Sequence, residues 1–80
     1  MSNTFDQIRS LLVQHLGLDS DEVTESSRLL DDMGADSLDL FELQIEAEEM
    51  FGVELSDADI YEATTVGKLV ALIDRERAAP

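Results

Sequence analysis

Ser37 is the side chain in this sequence of 80 residues that is best placed to do chemistry. It stands in Gly34-Ala35-Asp36-Ser37-Leu38, where an irregular stretch gives way to a periodic apolar one. A serine there can cap a helix. Asp36 can do so equally well, which leaves Ser37 as the first helical residue. A nucleophilic serine needs a base, and that base needs an orienting partner. The chain has one histidine, His15, at the far end of a different apolar pattern, and the flanks of Ser37 do not read Gly-x-Ser-x-Gly. No catalytic residue is assigned, and an enzyme is not expected. A modification site needs only an exposed hydroxyl with a recognisable flank. A phosphate ester at a helix start also meets free backbone N–H groups and the helix dipole, although Asp36 opposes it electrostatically. With no cysteine in the chain, disulfides, thiolate metal sites and a cysteine nucleophile are excluded.

The other chemistry-bearing groups read as bland. Asp19, Asp21, Glu22 and Glu25 cluster before the helix, but Val23 stands where a calcium loop needs a ligand and no glycine follows. His15 flanks an apolar stripe and reads as a partly covered histidine at the core edge. No metal site is expected.

Four helices are needed to position these residues. Phe5, Ile8, Leu12 and Leu16 share one face of a helix over 4–16, with Thr4 and Gln7 as its capping box and Gly17 as its stop. Residues 18–36 lack periodicity and form a loop long enough to suggest function, pinned by Leu18, Val23, Leu29, Leu30 and Met33. A second helix runs over 37–51 and ends at Gly52. Ser56 and Asp59 start a short third helix near 57–62. Thr65 caps a fourth, with Val66, Leu69, Val70 and Ile73 on one face and Arg75 and Arg77 near its negative end. Ala78-Ala79-Pro80 reads as a frayed end. The segment Phe51-Gly52-Val53-Glu54-Leu55 alternates but is too short and isolated for a strand. The fold class is all-α, a four-helix bundle with a long first loop and a short third helix, in one domain over 1–80.

The second helix carries two apolar stripes. At roughly 100° per residue, Leu40, Leu43, Ala47, Met50 and Phe51 gather on one side and Leu38, Phe41 and Ile45 on another. The second stripe is either covered by a neighbouring helix or exposed as a docking surface. Charge favours docking. The chain holds 19 acidic and 5 basic side chains, for a net charge of −14. Between Arg28 and Lys68 there are acids and no Lys or Arg. Such a field excludes nucleic acid and anionic membrane surfaces as partners and steers basic proteins. It also disfavours self-association, so a monomer is expected. No secretory signal or membrane-length apolar run is visible, and a cytoplasmic location is expected.

Gly34-Ala35-Asp36-Ser37-Leu38-Asp39 followed by Glu42-Leu43 resembles the attachment motif of acyl carrier proteins. Leu16-Gly17, Glu48-Glu49-Met50-Phe51 and Thr64-Thr65-Val66 extend the resemblance over nearly the whole chain, and the high acidity is similar to the stand-alone type. The resemblance implies that Ser37, flanked by Asp36 and Leu38, accepts 4′-phosphopantetheine from coenzyme A through a separate phosphopantetheinyl transferase. The arm's thiol would then hold acyl groups as thioesters for delivery between enzymes of fatty-acid or related lipid biosynthesis. It further implies that Asp36, Leu38, Asp39, Phe41, Glu42, Ile45, Glu48 and Glu49 dock basic-patched partner enzymes. Leu40, Leu43, Ala47 and Phe51 would line an acyl-chain pocket. Phe41, Gln44, Ile45 and Glu46 depart from the family's usual residues, which points to a specialised carrier with its own partners. The alternatives are a carrier of polyketide or nonribosomal-peptide synthesis, or an unmodified acidic interaction module.

Overall fold

The structure is a computed structural model and describes residues 3–78. Four helices follow in order: α1 (Thr4–Leu16), α2 (Ser37–Phe51), the short α3 (Asp57–Glu62) and α4 (Val66–Ala78). One 3₁₀ turn, Ser20–Glu22, interrupts the long first loop. The described residues contain no strand, in keeping with the all-α bundle that the periodicity predicts. Ala79 and Pro80 of the expected frayed end lie outside the described residues.

α1 packs on α4 and α2, and α3 packs on α4. The core joins Ile8, Leu11 and Leu12 of α1 to Leu40, Leu43 and Ala47 of α2, Ile60 of α3, and Leu69, Leu72 and Ile73 of α4. Phe5, Leu16 and Val70, expected on core faces, are partly buried against it. Met50 departs from expectation. It is exposed because its angular position puts it beyond the edge of the buried arc centred on Leu40, Leu43 and Ala47.

The start of α1 also differs. The cap is Asn3, whose side-chain oxygen accepts from the Asp6 backbone N–H at 2.8 Å. Thr4 is instead the buried first residue of the helix. Its hydroxyl donates to Asp74 and accepts from Arg77 at 3.1 Å, tying the first turn of α1 to the last turns of α4.

The long loop is hydrogen-bonded to the α3–α4 junction. Leu29 donates to the Thr64 carbonyl at 3.0 Å, Val66 to that of Ser27 at 2.9 Å, and Gly67 to that of Glu25 at 2.8 Å. The approach at Gly67 is close, since a Cβ there would stand 3.0 Å from the Glu25 carbonyl oxygen. Val23, Leu29 and Met33 are buried as expected, and Leu18 is partly buried. Leu30 is not a pin. It is exposed, because the chain turns tightly after Arg28, whose carbonyl accepts from both Asp32 and Met33.

Candidate functional site

Gly34 adopts φ +71°, a left-handed conformation open to glycine at no steric cost, and so turns the loop into the start of α2. Ala35 then closes back on the Leu29 carbonyl at 3.1 Å. Asp36 is the N-cap. Its carboxylate accepts from the Asp39 backbone N–H at 2.9 Å, and the Asp39 carboxylate accepts from the Asp36 N–H at 3.1 Å. This reciprocal box decides the question left open at the helix start: Ser37 is the first helical residue and not the cap. The Ser37 side chain is exposed, and Asp36 and Asp39 carry out the capping on either side of it.

The second apolar stripe of α2 is exposed. Leu38 is 65 % exposed, Phe41 45 % and Ile45 54 %, so no neighbouring helix covers it. Glu42 and Glu49, also exposed, border it. Glu48 is only partly exposed. Its carboxylate accepts from the Leu55 backbone N–H at 2.8 Å and so holds the α2–α3 connection.

His15 is half-buried, as expected at a core edge, but packing of α1 on α2 brings it to the acids of α2. Its Nε2 lies 2.7 Å from Glu42 and 3.9 Å from Asp39, and its Nδ1 lies 3.9 Å from Glu46. Donor atoms of His15, Asp39 and Glu42 lie within 4.8 Å of one another, a grouping that spacing along the chain does not reveal. His15 is not among the residues lining the notch at Ser37; the carboxylate in that lining is Asp57, which accepts from the Gln44 amide at 3.2 Å.

In sequence Gln44 stands out only as a departure from the residues usual on this helix. It is buried, and its amide donates to the Leu55 carbonyl at 2.7 Å and to the Asp57 carboxylate at 3.2 Å, fixing α2 to the start of α3. A polar residue between the apolar positions Leu40 and Ala47 was its one sequence signal.

Beside Ser37, a notch of about 10 Å³ opens between α2 and α3, lined also by Leu40, Phe41, Gln44, Asp57, Ile60 and Tyr61. A larger cleft of about 110 Å³ lies between the loop and α3, with Leu30, Leu40, Ile60, Tyr61 and Thr64 in its wall. An inner gap of about 10 Å³ is bounded by Leu29, Leu40, Leu43, Gln44, Ile60 and Leu69. Of the four residues expected to line an acyl pocket, Leu40, Leu43 and Ala47 are buried core side chains and Phe51 is partly buried. Leu40 and Leu43 border these spaces; Ala47 and Phe51 line none of the three.

The exposed hydroxyl, with the helix cap completed by its neighbours, leaves room for a bulky phosphodiester and fits an attached arm. Within the loop, the Arg28 backbone N–H and guanidinium both bond Asp32 and hold its carboxyl below the ordinary carboxylate range.

Among the described residues, no helix is long and apolar enough to cross a membrane. Residues 6–73 match the family described as the phosphopantetheine attachment site. The chain is 45 % identical over 78 residues to an acyl carrier protein of Zymomonas mobilis, covering 98 % of this chain and 100 % of that one. It is 43 % identical over 72 residues to an acyl carrier protein of Thermotoga maritima, covering 90 % and 89 %. It is also similar to a solved acyl carrier protein from Enterococcus faecalis, with a TM-score of 0.80 and 32 % identity over 91 % of this chain and 92 % of that one.

Proposed function

The chain belongs to the acyl carrier proteins, carriers of 4′-phosphopantetheine rather than enzymes, and from that premise we propose that Ser37 is its attachment residue. The observation that carries this is the exposed Ser37 hydroxyl in the first turn of α2, with the cap supplied by Asp36 and Asp39. Esterification at Ser37 Oγ therefore displaces no helix-capping bond. The arm supplies the thiol that this cysteine-free chain lacks, and the thiol holds acyl groups as thioesters.

A phosphopantetheinyl transferase loads the carrier, and biosynthetic enzymes exchange cargo with it. The finer reading is a single carrier domain, monomeric, serving fatty-acid or related lipid biosynthesis. Its partners dock basic patches on Leu38, Phe41 and Ile45 with Asp36, Glu42 and Glu49 around them. Long-range attraction speeds encounter, and the small apolar contact allows quick release. Asp39 and Glu48 contribute negative potential while their carboxylates also hold the helix cap and the α2–α3 connection.

The decisive experiment is intact mass with fragment mapping after incubation with coenzyme A, magnesium and a broad-specificity phosphopantetheinyl transferase. One phosphopantetheinyl group on Ser37 is expected. No adduct under conditions that load a control carrier would sink the assignment. Phe41, Gln44, Ile45 and Glu46 support a specialised partner set, and full-rate replacement of a housekeeping carrier in a reconstituted fatty-acid synthase would refute that part.

A further inference from the structure

The three spaces between the loop, α2 and α3 meet at the same two side chains, Leu40 and Ile60. A chain entering from the notch at Ser37 therefore faces a branch. One way leads past Tyr61 into the cleft of about 110 Å³ under Leu30 and Thr64. The other leads inward to the gap at Leu43 and Leu69.

Gln44 borders the notch and the inner gap but not the outer cleft. It is buried, and its amide is held by both the Leu55 carbonyl and Asp57. Leu40 and Ile60 can change rotamer without losing a polar contact. Gln44 cannot move aside without leaving the Leu55 carbonyl without this donor in a low-dielectric interior. Its carboxamide also presents a polar surface to any methylene chain pressed against it.

We infer that Gln44 is a specificity-determining residue that bars the inner route and sends the acyl chain into the outer cleft beside Tyr61, so that this carrier shelters short acyl groups and leaves the ends of long ones in solvent. This inference rests on Ser37 carrying the arm. Its physical basis is the contrast between Leu40 and Ile60, apolar and adjustable, and Gln44, the polar side chain of the inner gap, latched to Leu55 and to Asp57 in the wall of the notch.

The test uses the full chain, loaded on Ser37 with a stable amide-linked pantetheine bearing a ¹³C-labelled butyryl or dodecanoyl chain. Loading is confirmed by intact mass, so failure of the carrier reading shows as absence of adduct before any contact is measured. In the wild type, the butyryl chain should give nuclear Overhauser contacts to Tyr61 and Leu30 and none to Leu43 or Leu69. The dodecanoyl chain should give the same contacts from its first carbons only.

Gln44→Met, similar in length but without donors, should bring dodecanoyl contacts to Leu43 and Leu69. Gln44→Leu, also without donors, should do the same. If Gln44→Met does not fold, Gln44→Leu carries the comparison. Contacts to Leu43 and Leu69 in the wild type, a butyryl chain wholly in solvent, or unchanged contacts in every folded variant would overturn the inference.

Discussion

The two sides of this bundle are built on opposite terms. The largest fully buried side chains, Ile8, Leu12, Leu29, Val66 and Ile73, lie on α1, α4 and the long loop. The exposed large apolar side chains, Leu30, Leu38, Phe41, Ile45, Met50 and Tyr61, lie on α2, α3 and the loop, and none is on α1 or α4. The start of α1 is also tied to the end of α4 through Thr4 with Asp74 and Arg77, and Arg77 over the Phe51 ring at 5.2 Å links that end of α4 to the end of α2. The α2–α3 side keeps a six-residue helix and the branching clefts. One side buries its large apolar side chains, and the other exposes them.

Ser37→Ala gives the sharpest separation of the two. It should abolish phosphopantetheinylation completely by mass spectrometry while leaving the melting temperature almost unchanged, because the hydroxyl makes no cap. A large loss of stability would show that Ser37 is structural after all. Leu12→Ala should do the reverse, costing ~2–5 kcal/mol. That is most of what a domain of this size has to spare, and it would be read as loss of helical circular dichroism. If Leu12→Ala melted like the wild type, the α1–α4 side would not be the stabilising one.

Phe41→Ala takes away an exposed ring. Stability should move by less than ~0.5 kcal/mol, while acyl transfer by a cognate enzyme falls about tenfold, equivalent to ~1.4 kcal/mol of docking energy. Equal transfer rates would empty the exposed stripe of function.

The smallest effect concerns Asp32. Its carboxyl is held low in the folded chain, so its contribution to stability is complete above the unfolded value near ~4 and is lost as pH falls through the folded value. Asp32→Asn should make the acid limb of a melting-temperature profile slightly shallower. A steeper limb would reverse the sign of that argument.

The helix limits were legible in the sequence because they follow local signals. The periods of Ile8, Leu12, Val66 and Ile73, and the stops at Gly17 and Gly52, need no knowledge of distant residues. Ser37 stood out by its flank for the same reason. The second stripe of α2 could be seen but not resolved, since whether Leu38, Phe41 and Ile45 are covered depends on where other helices lie. What escaped was long-range and polar. Thr4 reaches Asp74, His15 meets Glu42, Glu48 holds Leu55, and Gln44 holds both Leu55 and Asp57. Side-chain reach across a bundle leaves no periodic trace. Glu48 read as part of a docking rim and Gln44 as a departure on it because position along α2 was the only coordinate available.

The box between Asp36 and Asp39 has one further consequence. Since those two close the helix end without the serine, an arm on Ser37 leaves the cap of α2 as it is. An enzyme that must choose between an empty and a loaded carrier then gains no signal from that helix end. The message is written in the arm and its cargo, and the protein is the constant address to which successive messages are attached.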